Sequence, residues 1–168
     1  IFSSDYYLEE IRKQIIKAYG DDFLYTGGLS VRSSLDTSTQ SIADLALKSG
    51  LLEYDKRNGY RGVIDSNTNK NWFNEYIGLN QPHNFLIAKV IKLNELNGRV
   101  DIEVLKGKDV VKGHLSNFHW ARKSLGNGYL GPKINEANDV FNKNDIIHVS
   151  LNKGNLYNLE QIPKINGA

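Results

Sequence analysis

Cysteine and methionine are both missing from the 168 residues. Without cysteine there is no disulfide, no thiolate metal site and no cysteine nucleophile, while a cytosolic and a periplasmic setting both stay open. The lack of methionine, with Ile1 at the start, leads to the expectation of a piece excised from a longer protein, so the missing leader says nothing of the parent. No apolar run is long enough to cross a bilayer. One-sided charge is scarce as well. Twenty-one Lys and Arg face 19 Asp and Glu, for a net +2 and a pI near 8.7, far from the concentrated field of a dedicated DNA binder. The glycines are scattered at turns and form no phosphate-binding loop. What remains is 40% hydrophobic and 24% charged, enough for a buried core in one medium domain or two small ones.

The first element predicted is a helix over 6–19. Tyr7, Leu8, Ile11, Ile15 and Tyr19 share one face, while Glu9, Glu10, Arg12, Lys13 and Lys17 cover the other. Gly20 is its expected C-cap, and Asp21-Asp22 read as turn positions. In "GGLSVRSSLD" the alternation of Leu29, Val31, Ser33 and Leu35 predicts a strand over 29–35. Thr37-Ser38-Thr39-Gln40 matches a capping box and opens a helix to about Asn58, with Ile42, Leu45, Ala46, Leu51 and Leu52 as its buried stripe. A short helix is expected over 70–77, with Trp72, Phe73 and Tyr76 apolar, after a polar loop over 66–71.

Beyond Pro82 the pattern turns to strands. Phe85–Leu93 is a β-branched run. Leu96-Asn97-Gly98 offers a type I′ turn, and Val100, Ile102 and Val104 then alternate with charged neighbours. Strands are predicted also over 110–115, 145–151 and 156–161, with a short helix over 118–123. Five strands with a long third connection give an α+β fold: a five-stranded antiparallel OB-like β-barrel with flanking N-terminal helices. A five-stranded SH3-like barrel is the rival outline.

Residues 6–62 carry a long gapless pattern, "LYTGGLSVRSSLDTSTQSIADLALKSGLLEYDKRNGYRG" at its centre, preceded by Tyr7, Glu10, Arg12, Tyr19 and Gly20. With Trp120-Ala121-Arg122 and the closing "QIPKINGA", it resembles the linker and OB-like region of class A penicillin-binding proteins of the 1A type. Ser33-Ser34 stands where that family has two Thr, Thr37 where Pro is common, and Lys123 where Pro often follows Trp-Ala-Arg. The resemblance implies four segments. Residues 1–62 would be linker helices and a strand that pack on a transpeptidase domain; 63–83 a connector; 84–163 the barrel; and 164–168 the lead-in to the transpeptidase. It implies a parent that is a bifunctional peptidoglycan glycosyltransferase and DD-transpeptidase, on the periplasmic side of the bacterial inner membrane. The implied partners are the rest of that synthase, with peptidoglycan strands or cell-envelope regulatory proteins as further candidates, and no nucleic acid. Residues 1–60, deprived of that partner domain, are expected to be more mobile or more prone to self-association than the barrel.

Such transpeptidases use Ser-x-x-Lys, Ser-x-Asn and Lys-Thr/Ser-Gly in that order, with the lysine one helical turn from the serine. Ser150-Leu151-Asn152-Lys153 and Lys48-Ser49-Gly50 imitate these motifs in the wrong order, with Ser150 at a strand end. Neither is expected to be catalytic, and neither a cofactor nor a metal site is expected. His83, His114, His119 and His148 show no ligand spacing. The candidate interaction surface is Phe118, His119, Trp120 and Arg122, where aromatics meet a guanidinium. Against it stands the reading that Trp120 anchors the core or the domain junction. A second hypothesis is a stand-alone OB module for nucleic acid or oligosaccharide, drawing on Lys106, Lys108, Lys112 and His114, but Asp101, Glu103 and Asp109 dilute that patch.

Overall fold

A computed structural model describes residues 5–79, 81–94 and 99–164. They fall into two compact units divided between Lys48 and Ser49.

In the first unit, α1 (Asp5–Tyr19) forms where the amphipathic period predicts it and carries an Arg12–Glu9 ion pair at 2.8 Å. Gly20 (φ 85°) turns the chain into a second helix, α2 (Asp21–Thr26), where a plain turn was expected. The two aspartates account for it, because carboxylates in a first turn oppose the positive end of the helix dipole. The expected strand over 29–35 is not formed: residues 28–36 join no ladder. Alternation makes a strand only when another strand takes its N–H and C=O groups, and none of the described residues does.

α3 (Thr37–Arg57) begins the next element and crosses the division between the units. Its cap is one residue earlier than the capping box predicts. The Asp36 carboxylate accepts the Thr39 N–H at 2.7 Å and the Ser38 hydroxyl at 2.6 Å, while the Gln40 side chain donates to Asp44 instead of reaching back. A carboxylate adds charge–dipole attraction to the capping hydrogen bond, which a threonine hydroxyl lacks. The expected buried stripe also fails. Ile42 and Leu45 are 68% and 67% exposed, since an apolar stripe is buried only where a second layer covers it.

The second unit is the barrel. Its strands are β2 (Leu86–Asn94), β3 (Arg99–Lys106), β4 (Asp109–Asn117), β7 (Asp145–Lys153) and β8 (Leu156–Glu160). They run in the order β7-β2-β3-β4-β8, and β7 pairs with β8 to close the ring. Four of these pairings are antiparallel; β4 and β8 run parallel. Strand order and closure are those of an OB-like barrel, as the sequence predicts. The two-residue β1 (Asp65–Ser66) extends the sheet at β7. The hairpin turn expected at 96–98 lies outside the described residues.

Alternation fills the inside of the barrel with Val90, Val100, Ile102, Val104, Ile147, Val149 and Leu159, closed off by Phe118, Phe141 and Tyr157. Gly113 on β4 is obligatory here, because a Cβ would run into the ring of Tyr157. A second cluster sits on the outside. Trp72, fully buried, packs with Ile87, Leu105 and Ile146, and its indole N–H donates to Glu103 at 3.3 Å. Residues expected as a connector thus lie against the barrel wall.

The helix predicted over 70–77 shrinks to a single 3-10 turn, Trp72–Glu75. Asn67 and Asn69 accept the backbone N–H groups of Asn69 and Asn71 at 2.9 and 3.0 Å, and such side-chain turns compete with helix formation. Over 118–123 there is a turn in place of the predicted helix, followed by the small hairpin β5 (Ser124–Gly126) and β6 (Tyr129–Leu130). Asn127 and Gly128 at its tip have φ 49° and 79°, the positive pair that a type I′ turn needs.

Candidate functional site

The four residues expected to share one surface diverge. Phe118 is 4% exposed and packs edge-on against Phe141 inside the barrel. His119 is exposed and stacks on Phe118, with ring centroids 4.6 Å apart. Trp120 is half-buried, perpendicular to Tyr60 at 5.7 Å, with the Lys56 ammonium 5.4 Å from its ring centre. The Arg122 guanidinium donates twice to the Gly131 carbonyl, at 2.8 and 2.5 Å. The cause is the turn itself, which points successive side chains in different directions. Trp120 sits at the edge of the core, and Arg122 is a staple between two backbone segments.

What does converge lies beside them. Asp55, in the last turn of α3, is 7% exposed and pairs with Arg61 Nη1 at 2.7 Å. The other guanidinium nitrogen donates to the carbonyl of Ile162 at 2.5 Å. Gln161, also buried, accepts the Arg61 backbone N–H at 3.2 Å and donates to the Gly59 carbonyl at 3.0 Å. One residue before it, Glu160 pairs with Lys56 at 2.6 Å and accepts the Ser150 hydroxyl at 2.8 Å. Lys56, Arg61 and Gln161 tie residues 55–61 to residues 160–162. The chain therefore enters the barrel and leaves it at one place, held by the charge-assisted Lys56–Glu160 and Arg61–Ile162 contacts and by the buried Gln161 amide.

Gly59 makes the close approach possible. Its φ is +89°, and a Cβ there would lie 2.7 Å from Leu130 Cδ2 and 2.8 Å from the Arg122 carbonyl. Tyr60 then bonds to the 122–124 segment, its N–H to the Arg122 carbonyl at 2.7 Å and its carbonyl to the Ser124 N–H at 3.0 Å. Burial pushes its phenol well above the ordinary tyrosine range, with the Asp145 carboxylate adding to the effect.

The remaining candidates occupy ordinary positions. Ser150 lies in β7 with its hydroxyl engaged by Glu160, and Lys48-Ser49-Gly50 lies within α3. His114 Nδ1 is 2.7 Å from Asp101, and the Lys106 ammonium lies over the Tyr157 ring at 5.6 Å, so part of the basic stretch is spent on neighbours. Among the described residues, no three His, Asp or Glu converge in a metal-holding group. The junction was missed by sequence reasoning, although its residues stood in both family-like segments: Asp55, Gly59 and Arg61 in the first, Gln161 in the second.

These residues can be set beside known proteins. A model of the penicillin-binding protein OB-like domain matches residues 60–165. Penicillin-binding protein 1A of Rickettsia conorii is 31% identical over 168 residues, and that of Rickettsia bellii 32%; each alignment takes in 99% of this chain and 20% of the relative. Penicillin-binding protein 1A of Escherichia coli is 24% identical over 174 residues. The chain thus spans about a fifth of the length of these relatives. A crystal structure of penicillin-binding protein 1A from Haemophilus influenzae superposes with a TM-score of 0.53 at 23% identity, over 96% of this chain and 23% of that one, and shares its fold. The barrel, its closure and the match over residues 60–165 together place the chain in the penicillin-binding protein OB-like domain family.

Proposed function

We propose that the chain is a non-catalytic spacer and docking domain within a bifunctional peptidoglycan glycosyltransferase and serine-type DD-transpeptidase, acting on the periplasmic side of the inner membrane. The observation that carries this reading is the junction. A barrel whose incoming and outgoing segments are bonded to each other through Arg61 and Gln161 holds its own entry and exit at a fixed separation, which supports a domain set between two others. The names and lengths of the relatives support the larger assignment. The barrel surface would meet nascent glycan or envelope proteins, with His119 and the exposed edge of Trp120 as candidate contacts.

The test is made in the longer synthase. Replacing Arg61 and Gln161 together by alanine should leave glycan polymerisation intact and lower the cross-linked fraction of the product, while a labelled β-lactam still acylates the enzyme at the wild-type rate. Unchanged cross-linking would remove the spacer role. The 168-residue chain itself should gain no mass from a β-lactam, and an adduct on Ser150 would overturn its non-catalytic assignment. Soluble peptidoglycan strands titrated into the labelled chain test the glycan-contact part, by saturable shifts on one barrel face.

A further inference from the structure

A cavity of about 440 Å³ opens beside the junction, within the size range of small-molecule pockets. Tyr60, Ala121, Ile134 and Val140 give it apolar walls. Four charged residues also line it, and they are not equivalent. Arg61 is neutralised by Asp55 at 2.7 Å. One oxygen of the Asp139 carboxylate accepts the N–H groups of Asn135 and Glu136 at 2.8 and 2.9 Å, bonds that hold it ionised. Lys123 and Lys133 are left, and neither forms an ion pair among the described residues.

Lys123 stands on fixed backbone. Lys123 is bridged to Tyr60, and its carbonyl takes the Gly131 N–H at 2.8 Å. Lys133 follows two residues after the Gly131 carbonyl that Arg122 holds. Two lysines and an apolar wall line the cavity against one carboxylate, and this excess of positive charge complements a molecule that is negative at one end and apolar at the other.

We propose that this cavity is a binding site for a small organic carboxylate with an apolar body, the acid group held by Lys123 and Lys133 and the body laid on Tyr60, Ile134 and Val140. The site is independent of the spacer role.

The test is an amide chemical-shift titration of the 168-residue chain with 4-phenylbutyrate, beside 4-phenylbutanol and 4-phenylbutylamine as neutral and cationic matches. The acid should give saturable shifts at the amides of Tyr60, Lys123, Ile134 and Val140, the alcohol weaker ones and the amine the weakest. Replacing both exposed lysines, K123Q/K133Q, should weaken the acid about fivefold, as two solvent-screened ion pairs are lost, and should leave alcohol binding unchanged in a spectrum of native dispersion. The single variant K133Q, on an exposed loop, should show an intermediate loss. Shifts that do not saturate, shifts confined to other residues, an alcohol or amine that binds as tightly as the acid, or lysine variants that bind the acid like wild type would each overturn the proposal.

Discussion

Ile42 and Leu45 on α3 and Val100 and Ile102 on β3 are picked out by the same kind of pattern, apolar residues recurring at the period of their element. The first pair is 68% and 67% exposed, the second 0% and 1%. A period names the apolar face and is silent on what covers it. In the barrel the cover is intrinsic, because β2, β3, β4, β7 and β8 curl into one closed sheet and each strand brings half of another strand's environment. The helical unit has no such closure: α1 and α2 contribute no buried residue. Two regions of equal sequence clarity thus differ in whether they contain their own second layer.

The sharpest way to break this contrast is to cut one large side chain from each region. Trp72→Ala should cost the barrel about 3–5 kcal/mol, whereas Ile42→Ala should stay within about 0.5 kcal/mol. Denaturant titration followed by amide signals of β3 measures both, and equal losses would abolish the distinction. In the same samples, amides of 5–48 should exchange faster than those of the strands; equal protection in a monomer would count against the difference.

Gly59→Ala comes next, at about 2–4 kcal/mol, from a left-handed backbone and a Cβ forced against Leu130 and the Arg122 carbonyl. A smaller value would show that the 122–131 segment yields. Asp55→Ala should cost about 2 kcal/mol, since it strips the Arg61 guanidinium of its partner. Its signature is local: exchange accelerates at Arg61 and at Lys164, whose N–H donates to the Asp55 carboxylate at 3.4 Å, before it does in β3, and uniform loss would argue that the junction is part of the core.

Two effects of pH are smaller. Burial lowers the His148 imidazole pKa, so the unfolded chain takes up that proton first. Barrel stability should fall as pH drops through the ordinary imidazole range and level off once the folded residue charges as well. His148→Gln should flatten that slope, and an unchanged slope would assign it elsewhere. At the start of α3, the Ser38 hydroxyl and then the Thr39 N–H hold Asp36 down to about 2. Its cap acts fully above the usual carboxylate range and is lost as pH falls toward about 2. Amide shifts of 37–40 should follow that titration while barrel amides stay still, and Asp36→Ala should remove the response.

The barrel was legible because its strands announce themselves locally. Val100, Ile102 and Val104 needed no knowledge of a partner to be placed inward. The hairpin at Asn127-Gly128 carries an equally local signal, an Asn-Gly pair with positive φ at both residues, but it lies in a polar, Gly-rich stretch with no apolar alternation on either side to mark its strands. The strand at 29–35 failed for the opposite reason: its alternation is genuine, but a ladder is a property of two segments. The same holds for the junction. Asp55, Arg61 and Gln161 each look like ordinary polar residues, and their pairing reaches across 106 positions of sequence. Periodicity has no access to such distances, and the family-like pattern marked the residues without indicating that they touch.

The Gln161 side chain reaches the Asp55 and Gly59 carbonyls, at 3.4 and 3.0 Å. Topologically, everything between them is a detour that returns to its starting point. The two ends of the barrel therefore lie side by side, as they do in many domains inserted into a longer chain. Read this way, the junction is a clasp: it fixes both ends of the barrel at one point, so the barrel meets the rest of its chain on one side only.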